Sequence, residues 1–183
     1  MELNLKKCKG MQIDFRKNKT IIPQLEIKNN LLIKVTSYNL LGLWIDDNLK
    51  WNTNTEYIVK KATKRLFLLK ALKSYHSPVN DMKIFYTAVI SLEYGAQVWN
   101  DSLTKDQSNN IERIQKRALG IIYWEYDYDR VLNHAQLTTL KDRRDHICVD
   151  LIKRMSNPHH KLQNLLPEKI GQVREREMRS NGH

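Results

Sequence analysis

Glycine and proline are scarce in this chain of 183 residues, six and four in all, and cysteine is scarcer still at two. With so few breakers and 41% hydrophobic residues, the chain can bury one modest core, or a core plus an appendage. Cys8 and Cys148 cannot supply a structural zinc site alone, and inside a cell both are expected as thiols. Long apolar runs are missing. No stretch approaches the ~20 residues that a membrane span requires, and residues 1–9 are too charged for a signal peptide. These absences predict an intracellular protein, of nucleus or cytoplasm, not secreted and with no membrane partner. The sequon Asn18-Lys19-Thr20 is then expected to stay unmodified. Acid is also in deficit: 20 Asp and Glu face 31 Lys and Arg, and the formal charge of +11 favours polyanions, nucleic acid first.

Short β-like runs come first, at 11–15, 20–22, 31–35 and 40–45, separated by loops rich in Asn and Lys. Pro23 lacks an N–H and belongs at an edge or turn, so the pattern predicts a small antiparallel sheet, too small to stand alone. After Trp51 the period becomes helical. Asn52 or Thr53 would cap a first helix ending near Tyr75, with Ile58, Ala62, Leu66 and Leu69 inward. Lys60, Lys61 and Lys64 lie on the opposite arc, with Arg65 at its border. Ser77 as cap and Pro78 at the first position open a second helix. Its broad apolar arc runs through Met82, Phe85, Tyr86, Val89, Leu92 and Ala96. A third helix, at about 105–123, sets Ile111, Ile114, Ala118 and Ile121 against Arg113, Lys116 and Arg117. A fourth, at about 138–155, packs Leu140, Ile147, Leu151 and Met155 and stops at Asn157-Pro158. The expected class is α+β: a β-rich unit over 1–48, a mainly helical bundle over 49–158, and a tail over 159–183 that frays from Gln172.

Trp44-Ile45-Asp46-Asp47 has the paired aspartates with which polymerases hold magnesium, but a two-metal centre needs a further carboxylate from another strand. Asp14 and Glu26 are poorly placed to supply it, and Asp46-Asp47-Asn48 reads as a strand-to-helix turn. Glu93 falls within the apolar arc of the expected second helix and should be paired, with Arg144 of the fourth helix as its partner. His146-Ile147-Cys148 and His159-His160 do not read as metal ligands, because helix residues two apart face different sides. Trp99, Tyr123, Trp124, Tyr126 and Tyr128 could stack on bases, though packing between helices accounts for most of them. Two basic arcs, on the first and third helices, are the strongest signal and point to nucleic acid.

An ordered series of elements carries a family likeness. Leu3-Asn4-Leu5-Lys6-Lys7-Cys8-Lys9, with the run 11–15 behind it, resembles the segment that follows the catalytic aspartates in reverse transcriptases of jockey-type non-LTR retrotransposons. Residues 38–46, with Leu49 and Trp51, are similar to the element that ends that family's palm, and the run 58–65 to the start of its thumb helices. Leu92-Glu93-Tyr94-Gly95 with Val98-Trp99, and then the run 111–118, resemble its later helices. Leu137 and Leu140 with Arg143-Arg144, and finally Leu165-Leu166-Pro167, complete the series.

The resemblance implies the end of a palm, a thumb and the helices after it, without the aspartates that bind magnesium in the whole RNA-directed DNA polymerase. Lys7 would match the lysine that assists departure of pyrophosphate, and Gly42 the turn that grips the primer. The helices would lie along an RNA–DNA or DNA duplex and contact its backbone, and the missing palm and fingers could be a further partner. The chain is therefore expected to lack enzymatic activity of its own, to hold no cofactor, and to bind nucleic acid through Lys60, Lys61, Lys64, Arg65, Arg113, Lys116 and Arg117. The alternative is a decayed or co-opted relic whose helices serve as a protein–protein module.

Overall fold

The computed structural model describes residues 4, 7–18, 23–124 and 127–167. The run expected at 20–22, Tyr126, the tail beyond Pro167, Leu3, Leu5 and Lys6 of the first family-like element, and Thr20 of the sequon lie outside them. The architecture is α+β, with short strands followed by helices. Among the described residues the strands do not join into one sheet. They form three two-stranded ladders: β1 (Lys9–Gly10) pairs in parallel with β4 (Ile33–Lys34), β2 (Glu26–Ile27) with antiparallel β3 (Asn30–Leu31), and β5 (Ser37–Leu40) with antiparallel β6 (Leu43–Asp46). The run 11–15 alternates as a strand should but joins no ladder among the described residues. Lys28 and Asn29, then Leu41 and Gly42, all take positive φ, the geometry that closes a two-residue hairpin without splaying its strands.

Helix α1 (Asn52–Ser74) buries Ala62, Leu66 and Leu69, as its period requires. Its cap differs from expectation. Trp51, in the left-handed region, is the capping residue, and the Thr53 N–H donates instead to Asp46 Oδ2 at 3.1 Å. Asp46 is thus the buried end of β6, set where a carboxylate complements the positive end of a helix. Asn54 Oδ1 accepts the Trp44 N–H at 3.2 Å, a second tie between β6 and α1.

Helix α2 (Val79–Val89) starts with Pro78 at the cap, not Ser77, and ends well before Ala96. The Arg65 guanidinium donates to the Val89 carbonyl, which a longer helix would have used itself. The chain then runs without regular structure into a turn at Tyr94 and Gly95, and the φ of +66° at Gly95 and its contact with Leu43 (2.8 Å from an added Cβ) exclude a side chain. A single turn, α3 (Ala96–Trp99), follows and buries Trp99.

Helix α4 (Lys105–Tyr123) matches its expected span and opens with a reciprocal cap. Thr104 Oγ1 accepts the Gln107 N–H at 3.2 Å, and Gln107 Oε1 accepts the Thr104 N–H at 2.8 Å. α5 (Tyr128–Ala135), capped by Asp127, is an element that the period did not reveal. α6 (Leu140–Met155) is capped by Thr139. α1 and α4 run parallel: Gln107 Nε2 donates to the Lys50 carbonyl and Asn52 Oδ1 at their starts, and Lys73 Nζ to the Ile122 carbonyl at their ends. The core lies between this pair, α2 and the later helices.

Candidate nucleic-acid interface

The two basic arcs divide once the neighbours of each helix are considered. On α1, Arg65 turns to α2, where its bond to Val89 makes it a structural clamp rather than a free phosphate contact. Lys61 lies beside it, 5.5 Å from the centroid of the Tyr57 ring, in a cleft of about 580 Å³ that also includes Gly42 and Tyr94. On α4, Gln115 marks the side facing α2, since Tyr86 Oη donates to its Oε1 at 2.6 Å. Lys116 turns toward α5, with Nζ 5.7 Å from the centroid of the Tyr128 ring. The rest lie on the open side of the pair. At 100° per residue, Lys60 and Phe67 are about 140–160° from Arg65, and Arg113 and Arg117 about 160° from Gln115. All four are exposed, Lys64 is exposed at the edge of the same side, and Lys70 joins them three residues beyond Phe67. Among the described residues Lys60, Lys64 and Arg117 have no ion-pair partner, while Arg113 donates to Asn110 Oδ1 at 3.1 Å. Lys70 and Phe67 escaped notice in the sequence although the helical period places both off the apolar stripe.

The expected Glu93–Arg144 pair is corrected. Glu93 lies in the irregular stretch after α2 and pairs with Arg143 Nε at 2.7 Å, each side chain about a quarter exposed. Arg144 is buried. Its Nε and Nη2 donate to Asn100 Oδ1 and Ser108 Oγ, both at 2.9 Å, and its guanidinium lies over Trp99. Burial pulls its pKa below the usual arginine value.

A partly buried polar network joins α2, α4, α5 and α6. Gln115 Nε2 donates to Tyr128 Oη at 2.8 Å and to the Thr138 carbonyl at 3.0 Å; Tyr128 Oη donates to Glu112, and Glu112 Oε2 accepts the Leu140 N–H at 3.0 Å. Burial pushes the pKa of Tyr86 well above its usual value, and burial with the bond to Glu112 does the same for Tyr128. Hydroxyls held neutral and fully bonded in this way fix helix register rather than exchange protons with a substrate.

The remaining candidates are dispersed. Lys7 is exposed near β1. His146 Nδ1 contacts the Asp142 carbonyl at 2.7 Å, whereas Cys148 Sγ points to the Ala96 carbonyl, so the two do not converge. Among the described residues no three His, Cys, Asp or Glu side chains are grouped to hold a metal. Asp46, already engaged as a cap, does not fit the carboxylate set of a two-magnesium centre. Nor is any helix among them long and apolar enough to cross a membrane. Comparisons with protein-family models, with curated proteins and with solved structures returned no match.

Proposed function

We propose that this intracellular chain contacts the backbone of a nucleic-acid duplex without reading its sequence, as a portion of a retrotransposon-type reverse transcriptase that lacks the catalytic aspartates. The observation that carries the reading is the open side of the α1–α4 pair, where Lys60, Lys64, Lys70, Arg113 and Arg117 present exposed cations from two parallel helices. Such rows neutralise phosphates and position a duplex. The order of the family-like elements along the chain supports the same reading. The chain is also proposed to have no polymerase activity of its own.

A fluorescence-anisotropy titration with unrelated duplexes tests this. Replacing Lys60, Lys64, Arg113 and Arg117 together with Glu should abolish binding to every sequence alike, while replacing Arg65 should damage the fold first. Retained affinity in the folded quadruple variant would favour the helical interaction module instead. Nucleotide incorporation by the pure chain with magnesium or manganese would contradict the non-catalytic part.

A further inference from the structure

Leu41 stands where its hairpin has no use for it. With Gly42 it forms the two-residue turn between β5 and β6, at φ +51° and +89°, a geometry that favours Asn-Gly over a leucine at the first position. Yet Leu41 is 84% exposed, so neither the turn nor the core accounts for it. Tyr94 Oη donates to its carbonyl at 2.9 Å, and an added Cβ at Gly42 would come within 3.4 Å of the Tyr94 ring. The tip is thereby fixed against the stretch that follows α2.

That tip is one rim of the cleft of about 580 Å³ in which Lys61 stands over Tyr57. Ile58, Ala88 and Val89 give the cleft apolar walls, and Arg65 lines it while donating to the Val89 carbonyl. A concave space of this size, mostly apolar with a few polar groups, suits a ligand with the bulk of a few peptide residues. Its charge has one sign. The described lining residues include Lys61 and Arg65 and no carboxylate, and neither cation has an ion-pair partner among the described residues.

We propose that this cleft docks an acidic protein segment, which sets an apolar side chain between Leu41 and Tyr94 and a carboxylate on Lys61. A nucleic-acid strand fits it less well. Repeating phosphates call for a row of cations, whereas Arg65 is committed to backbone and the exposed tip is a leucine. Among the described lining residues that leaves Lys61 alone for a phosphate. The inference stands apart from the duplex reading, which uses the open side of α1 and α4.

The test pans random short peptides displayed on phage against the full chain, then titrates the enriched peptides by fluorescence anisotropy. They should share an Asp or Glu beside a Leu, Ile, Phe or Trp. Leu41→Asn should weaken their binding about tenfold and raise Tm, because asparagine suits the left-handed position, so the loss cannot come from a damaged fold. Lys61→Glu should weaken it by a similar factor, and exchanging the peptide's acid for Lys should restore affinity to that variant alone. Leu41→Asn should leave duplex affinity unchanged, and the chain with Lys60, Lys64, Arg113 and Arg117 replaced by Glu should still bind the peptides. Failure of acidic peptides to enrich, or equal affinity of both variants and the wild type for them, would overturn the inference. So would a loss of duplex affinity in Leu41→Asn, which would put a nucleic-acid strand in the cleft. Peptide binding without any duplex binding would overturn the duplex reading alone.

Discussion

The segment ending at Asp46 and the helices after Trp51 are both rich in Leu, Ile and aromatic residues, yet they use them in opposite ways. In the helices these side chains close on one another, with Leu66, Leu69, Trp99, Ile111, Leu119 and Leu140 buried. Before Asp46 only Leu32 among the described apolar residues is buried, while Phe15, Leu31, Ile33 and Leu41 face solvent. The difference teaches that hydrophobicity becomes burial only where elements are long enough to enclose one another; two-residue ladders are not. The β5–β6 hairpin is held to the bundle by Leu43 and Ile45, which pack against the core, and by three polar ties: Asp46 on the Thr53 N–H, the Trp44 N–H on Asn54, and Tyr94 Oη donating to the Leu41 carbonyl at 2.9 Å.

The contrast breaks most visibly under truncation. Trp99→Ala should destabilise the chain by about 4 kcal/mol in urea denaturation, whereas Ile33→Ala should stay within about 0.5 kcal/mol. Similar losses at both positions would dissolve the distinction. Next in size is the joint between the regions. Asp46→Ala should cost about 2 kcal/mol and speed hydrogen exchange at the Thr53 amide, since it removes the acceptor for an exposed helix start.

Alkaline pH sharpens the same comparison. Tyr86 binds its proton more tightly when folded than when unfolded, because burial raises its pKa above the usual value of 10.0. Its contribution is therefore complete below about pH 10 and is lost as pH rises beyond, at up to about 1.4 kcal/mol per pH unit. Tyr86→Phe should flatten that part of the slope, and an unchanged slope would show that the hydroxyl is not the cause. The smallest effect belongs to Glu93 and Arg143. As a partly exposed pair they should show a coupling of about 1 kcal/mol or less in a double-mutant cycle, not the several kcal/mol of a buried pair.

These sizes follow the parts of the fold that local pattern could and could not convey. The span of α4 was legible because Ile111, Ile114 and Ala118 recur at helical spacing with polar residues opposite. The end of α2 was not, because it depends on Arg65 reaching the Val89 carbonyl, a contact between residues 24 apart. The wrong partner for Glu93 follows from that error: once α2 stops, the residue no longer lies on its arc and meets Arg143. α5 is too short for periodicity to mark, although Asp127 accepts the Asp129 and Arg130 N–H groups at its start. Of the seven expected cations, the helical period places six on polar arcs and Arg65 at a border, but it could not tell that Arg65 is bonded to backbone and that Lys61 and Lys116 stand over tyrosine rings.

The salt dependence of duplex binding tests the central claim most directly. Each phosphate neutralised releases counterions, so log affinity should fall with log salt at about 0.9 per contact on B-form DNA. If Lys60, Lys64, Arg113 and Arg117 each make such a contact, the slope should shrink by about 3.6 when all four are replaced by Gln in the folded chain. An unchanged slope and affinity in that variant would show the open side of α1 and α4 to be only a solvated face.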